Sequence, residues 1–341
     1  MYDTRPIGAA ADGELTMMGA ILDAVLDRTI LFSFDRSGFL RHARSFRPGD
    51  LDVDLTGRVC VVTGANSGIG RAAATALAAR GAEVWLLCRD RGRGEEAVAS
   101  IRKTTGNRRV QLAVVDVSHL AAVRAFAEGF APARVDVLIH NAGVLPATRQ
   151  ENPEGLELTL ATNVIGPFLL MHLLRAKLAA ATGARVIFVS SGGMYAQRLS
   201  LDDLQWTERP FDGVTAYAQT KRMQGILTEM LARRWARARI AVHAMHPGWA
   251  DTPSVRSSIP RFWQVMRKRL RTPEEGADTL VWLAVAPALP SGRFWFDRVP
   301  QPTHLLPFTT ERPRDRAQLW RMCTRLAGLA PSSKDSRTAP T

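Results

Sequence analysis

The segment Arg58-Val-Cys-Val-Val-Thr63 is an apolar, β-branched run of strand length, and Gly64-Ala-Asn-Ser-Gly68-Ile-Gly70 follows it directly. Arg71 to Arg80 is then alanine-rich, as in a helix, with Gly81 as its stop. A strand that turns through glycines into a helix N-terminus gathers unpaired backbone N–H groups and the positive helix end at one point. That is an anion site, and glycines there let the backbone come close to a pyrophosphate. The spacing Gly-x-x-x-Gly-x-Gly departs from the commoner Gly-x-Gly-x-x-Gly fingerprint. Its strand-to-helix setting nevertheless points to a nucleotide rather than to an ordinary turn.

Strand and helix patterns alternate from Arg58 to Phe296 without a linker. The expected fold is α/β: a single Rossmann-type, doubly wound parallel sheet of about seven strands, the last at Arg293 to Phe296, with helices on both faces. Residues 51–310 would form this catalytic, dinucleotide-binding domain, between an N-terminal extension (1–50) and a C-terminal helix with a disordered tail (311–341). Met17 to Phe34 is rich in apolar residues but interrupted by Asp23, Asp27 and Arg28. It suits an amphipathic helix rather than a membrane span or a secretory signal. Pro331 to Thr341 is polar and rich in Ser, Thr and Pro, as disordered segments are.

Far downstream, Tyr217-Ala-Gln-Thr-Lys221 places a phenol and an ammonium four residues apart, on one face of a helix. A neighbouring positive charge favours phenolate and lowers the tyrosine pKa from about 10. The phenol would then serve as proton donor or acceptor near neutral pH. The chain has three tyrosines, and Tyr217 is the one with a lysine four positions on.

Thr63-Gly-Ala-Asn-Ser-Gly-Ile-Gly70, Asn141-Ala-Gly143 and Tyr217-x-x-x-Lys221, in that order, resemble the short-chain dehydrogenase/reductase family over roughly residues 52–300. Val189-Ser-Ser-Gly-Gly-Met194 and Met245-His-Pro-Gly-Trp-Ala-Asp-Thr-Pro253 are similar to its retinol-dehydrogenase-like branch. The resemblance implies hydride transfer between a nicotinamide cofactor and an alcohol or carbonyl compound that is apolar or lipid-like. It implies Tyr217 as general acid/base, Lys221 beside it, Ser191 holding the substrate oxygen, and Asn163 holding a water next to the lysine. For the cofactor it implies contacts from Gly64, Asn66, Ser67, Gly68, Ile69 and Gly70, from Asp116 and Val117, and from Asn141, Ala142 and Gly143. Tyr217, Lys221, Pro247, Gly248 and Thr252 complete that set. His140 stands where family members carry a first asparagine, and it reads as a packed strand-end residue.

Cofactor choice turns on Cys88-Arg89-Asp90 after the second strand. By the resemblance, Cys88 stands where NAD-selective family members usually carry an acid, and Arg89 offers a fork for a 2′-phosphate. NADP is therefore expected over NAD, with Asp90 keeping the alternative open. The competing reading of the whole is a catalytically silent NAD(P)-binding sensor or scaffold on the same fold.

The formal net charge is +13 and the final quarter is the most basic, but no nucleic-acid motif accompanies it. Segment 261–271 mixes aromatic and basic residues, like an interfacial helix or a solvated lid. Peripheral membrane association is expected through it if at all. Family members often pair through their long helices, which makes a homodimer a partner to test. The histidines show no metal-ligand spacing. Cys60, Cys88 and Cys323 form no disulfide framework, as expected of a cytoplasmic protein.

Overall fold

The computed structural model describes residues 30–330 except Ala288, and for Ile30 and Leu31 the backbone alone. Most of the expected N-terminal helix (17–29) and the expected disordered tail (331–341) lie outside the described residues.

Strands β1 (Val59–Thr63), β2 (Glu83–Cys88), β3 (Val110–Val114), β4 (Val137–His140), β5 (Arg185–Val189), β6 (Ala241–His246) and β7 (Arg293–Phe296) are all parallel. They lie in the order β3-β2-β1-β4-β5-β6-β7. An eighth strand, β8 (Val299–Gln301), extends the sheet antiparallel to β7. The sequence reading missed it: Asp297 and Arg298 turn the chain back at positive φ, and three residues carry no readable alternation. The winding reverses between β1 and β4, where a doubly wound sheet opens its ligand crevice.

Short apolar strands suit this sheet because both faces are covered. On β1, Cys60 and Val62 face one core cluster while Val59 and Val61 face the other, as the two-residue strand period requires. Short helices α1 (Ile30–Phe34) and α2 (Arg36–His42) precede the sheet. Helix α3 (Gly68–Ala79) and helix α4 (Arg91–Thr105) cover the first face. Helix α5 (Leu120–Gly129) and a helix spanning 158–173, α6, cover the second. Helix α7 (Gly213–Trp235) joins them there, and α8 (Pro273–Val285) completes the first face. The C-terminal helix α9 (Pro313–Leu326), expected as part of an extension, is core: Leu319, Trp320 and Cys323 are buried, and Trp320 meets Phe168 edge-on at 5.2 Å.

Helix α6 is not uniform. Its second turn, Ala161–Ile165, is a π-helix. A π turn adds a residue to the helical register and often marks a functional position; here it contains Asn163. At its end Gly166 passes so close to β3's continuation that an added Cβ would overlap the Val117 carbonyl oxygen at 1.7 Å. Gly166→Ala is therefore expected to destabilise the fold by about 1–3 kcal/mol or more, since the obstacle is backbone. In urea unfolding the midpoint should fall with little change in slope.

Candidate active site

At the carboxyl end of β1, Gly64 and Gly68 take φ of 65° and 54°, the left-handed region that suits glycine. An added Cβ on Gly64 would lie 2.9 Å from Ala142 Cα, and one on Gly70 would lie 2.3 Å from Asn141 Nδ2. These glycines bring β1 and β4 together as well as shaping the loop. Asn141 Nδ2 donates to the carbonyls of Thr63 (3.0 Å) and Gly64 (3.1 Å), while the N–H groups of Asn141 and Ala142 donate to Thr63 Oγ1, each at 3.0 Å. Asn141 is thus committed to the strand seam. Ser67, the N-cap of α3, makes no capping bond with its side chain. The leading N–H groups of α3 therefore lack a side-chain cap, as an incoming pyrophosphate requires.

The cofactor-selecting positions separate. Cys88 is buried, with the Ala65 and Asn66 N–H groups at its sulfur, and burial pushes its thiol up to about 11. Asp90 caps α4 by accepting from Arg93 N at 2.9 Å. That contact, with the Arg93 charge, holds its carboxyl below the usual range. Arg89 is exposed. Asp116 closes a local turn on Ser118 N and Oγ, at 2.9 and 2.7 Å, and Val117 is buried.

Four groups expected from dispersed segments converge across the carboxyl edge of β4 and β5. Ser191 caps the one-turn helix Gly192–Ala196 after β5 by accepting from Gly193 N at 3.2 Å, and its hydroxyl lies near enough to the Tyr217 phenol on α7 to pull the phenol's pKa down. Lys221, 2% exposed, lies one turn along from Tyr217 and donates Nζ to the Val189 carbonyl at 2.8 Å. Its ammonium sits 5.2 Å from the centre of the Tyr217 ring. Asn163 accepts from Val144 N at 3.0 Å and donates to Thr220 Oγ1 at 3.0 Å; Thr220 donates onward to the Tyr217 carbonyl at 2.6 Å. A methyl group on Gly143 would lie 3.4 Å from Asn163 Oδ1 and 3.7 Å from Lys221 Nζ. Ser190, the neighbour of Ser191, is buried and its hydroxyl donates to the Lys221 carbonyl at 3.1 Å.

One expectation is corrected. Lys221 was to lower the phenol's pKa, yet burial pushes Tyr217 up to about 12, against a smaller downward pull from the nearby Ser191 hydroxyl. Burial likewise pulls Lys221 down to about 7. At each group the cost of desolvating the charged form is the largest cause. At neutral pH the phenol is protonated and the amine is near its midpoint.

On the substrate side, Gly248 (φ 71°) and Thr252 follow β6 with Pro247 between β6 and the glycine. Thr252 caps the short helix Pro253–Ser258, and its methyl lies 3.0 Å from where a Gly68 Cβ would be. This brings the loop after β6 onto the glycine turn. In the 261–271 segment Arg261, Arg267 and Lys268 are exposed, while the last two arginines are paired. Arg269 pairs with Asp35 at 2.6 Å and Arg271 with Asp297 at 2.6 Å, the latter two almost wholly buried. His140 stacks on Phe188 at 4.9 Å, and burial pulls it down to about 3.

Sequence reading missed Thr220 and Gln224, which donates to the Asn163 carbonyl at 2.7 Å. Both lie on the Tyr217 face of α7, three and seven residues on, so helical spacing could have found them. It had no local signal for Phe34, Arg271 or Asp297. Among the described residues no three His, Cys, Asp or Glu side chains gather as a metal site, and no helix is long and apolar enough to cross a membrane.

A nucleotide-type loop and helix end on one side of the crevice, with a hydroxyl–phenol–amine set on the other, define a dinucleotide-binding oxidoreductase of Rossmann type. The chain matches the short chain dehydrogenase family over residues 58–261 and belongs to it; such proteins act on CH–OH and C=O groups. It is 45% identical over 304 residues to dehydrogenase/reductase SDR family member 12 of Bos taurus, covering 87% of this chain and 95% of that protein. The active-site wording points to the same subgroup. Retinol dehydrogenase 11 of Homo sapiens is 38% identical over 241 residues, 70% of this chain and 76% of that one. Among solved structures, a Beutenbergia cavernae protein described as an NAD(P)-dependent gluconate 5-dehydrogenase, with NADP bound, matches with a TM-score of 0.57. It is 28% identical and covers 72% of this chain and 96% of that one.

The Lys221 shift predicts a pH signature. Its folded pKa lies below the free-lysine value of about 10.4, so between about 7 and 10.4 the unfolded chain binds more protons and stability rises with pH. Compared with Lys221→Met, the native protein should gain up to roughly 4 kcal/mol across that window. Paired urea titrations from pH 6 to 10 read this; a flat difference would place the ammonium in water.

Proposed function

We propose that the protein is an NADP-dependent reductase of carbonyl groups on apolar or lipid-like small molecules, with Tyr217 as the proton donor. The observation that carries this reading is the convergence of the Ser191 hydroxyl, the Tyr217 phenol and the buried Lys221 amine at the carboxyl edge of β5. A bound nicotinamide would supply hydride to the carbonyl carbon. Ser191 would hold the carbonyl oxygen, and Tyr217 would pass its proton to that oxygen as negative charge develops there. A phenol held up at about 12 is protonated at neutral pH and suited to this acid role. An amine near 7 can return a proton to the tyrosine after each turnover. Asn163, anchored by Thr220, Gln224 and Val144, would keep the lysine side of the site polar and could hold a water for that return.

The uncapped N-terminus of α3 would take the pyrophosphate, with Gly64, Asn66, Ser67, Gly68 and Ile69 around it. Asp116 and Val117 would lie at the adenine, Gly143, Tyr217 and Lys221 at the nicotinamide ribose, and Pro247, Gly248 and Thr252 at the carboxamide. The acidic alternative at the ribose, Asp90, is engaged as a helix cap, which leaves Arg89 exposed for a 2′-phosphate. The NADP in the Beutenbergia cavernae structure agrees with that preference. A silent nucleotide sensor is less economical, since binding alone needs neither the buried amine nor its relay. Three free cysteines, all buried, fit a reducing compartment such as the cytoplasm.

Tyr217→Phe should lower carbonyl turnover by about 10²–10⁴-fold, the usual worth of a general acid. NADPH binding, measured by fluorescence titration, should change little; equal losses in both would remove the tyrosine from the chemistry. Arg89→Ala should weaken NADPH by about tenfold or more while NADH hardly changes. Parallel changes in the two cofactors would refute selection by Arg89.

A further inference from the structure

Residues 33–35 run along the loop after β6 as a strap held from beneath. Arg271, whose side chain is 1% exposed, donates to three successive carbonyls: Ser33 at 3.0 Å, Phe34 at 3.1 Å and Asp35 at 3.2 Å. The same guanidinium forks onto Asp297 at 2.6 and 2.8 Å, and Asp297 also meets His42 Nδ1 at 2.6 Å. Burial acts to raise the Asp297 carboxyl, but His42 and Arg271 together hold it below the usual range. Backbone bonds close the other edge, from Trp249 N to the Phe34 carbonyl and from Arg36 N to the Arg269 carbonyl, both at 2.8 Å. A planar guanidinium that serves three carbonyls and a carboxylate fixes the path of that backbone.

The fixed path sets the Phe34 ring beside the catalytic edge. A Cβ on Gly192, the residue after Ser191, would lie 2.5 Å from Phe34 Cε2. The ring meets His246 at 4.4 Å, Phe296 at 5.1 Å and Trp249 at 5.9 Å, all edge-on, and Trp249 continues to Phe262 at 5.2 Å. Phe34 remains partly exposed. An apolar surface therefore begins one residue from the Ser191 hydroxyl and is built in part by a segment that precedes the dinucleotide fold.

We propose that Phe34 is a specificity-determining wall of the substrate pocket, against which the hydrocarbon body of the carbonyl compound packs while its oxygen meets Ser191 and Tyr217. The proposal rests on the dehydrogenase reading above and assigns to the N-terminal strap the choice between slender and wide substrates. Truncating the ring widens the pocket beside the reacting oxygen without touching the proton relay or the nucleotide loop.

The test compares wild type, Phe34→Ala and Phe34→Leu, as full chains, on carbonyls of graded width: hexanal, cyclohexanone, 2-decalone and a steroid ketone. Phe34→Ala should raise kcat/KM for the wide ketones relative to hexanal by about tenfold or more, with Phe34→Leu between, as pocket changes of a few methylenes do. NADPH affinity should stay close to wild type. A uniform change across the series, or parallel loss of NADPH binding, overturns the wall. If wild type turns over none of the four, the dehydrogenase reading fails, and ketone binding by equilibrium dialysis decides the wall separately. There a wide-to-slender ratio unchanged in Phe34→Ala, or no binding to wild type, overturns it.

Discussion

The seam between β1 and β4 is the constraint on which the rest is built. Strands on its two sides wind in opposite directions, so the helices that follow them diverge and leave a crevice at the carboxyl edge. Thr63 and Asn141 stitch the two strand ends by four hydrogen bonds, and Gly64 and Gly70 leave no side chain to hold them apart. From this seam the glycine turn leads to the N-terminus of α3 on one side. On the other, Gly143 and Val144 lead to Asn163 and Lys221. A loosened seam would move both halves of the site relative to each other, and proton and hydride transfers tolerate little misplacement.

Burial sets the proton chemistry. Lys221 is buried with a backbone carbonyl rather than a carboxylate as its partner, so its charged form is costly and its pKa falls. Packing around the partly buried phenol likewise raises Tyr217. Two groups whose pKa values nearly coincide in water are thereby drawn apart, the phenol up to about 12 and the amine down to about 7. This differs from the simple picture of an ammonium lowering a neighbouring phenol, and it follows from burial outweighing a single charge–dipole contact.

The arginine-rich composition is partly structural. Arg271 and Arg269 hold the strap, and Arg222, 1% exposed, donates to the carbonyls of Met194, Gln197 and Thr303, fixing the chain after Ser191. Guanidinium groups suit such work because they stay charged and satisfy several oxygens in one plane. Positive charge counted along the sequence therefore overstates the charge offered to a partner. Segment 261–271 shows this directly, since two of its arginines pair inward with Asp35 and Asp297.

The strand–glycine–helix unit, the parallel sheet and the Tyr217–Lys221 pair were legible because each is local: alternation, turn chemistry and helical spacing act within a few residues. Ser191 and Asn163 were reachable through resemblance, and the structure sets both beside that pair. Tertiary structure alone decided what depends on distant segments meeting. The π turn at Asn163, the eighth strand, the core role of α9, the direction of the Tyr217 pKa and the placement of Phe34 against Gly192 all belong to that group. Burial and long-range contact have no period along a chain, so a phenylalanine at position 34 and an aspartate at 297 carry no mark of their shared arginine until the fold brings them together.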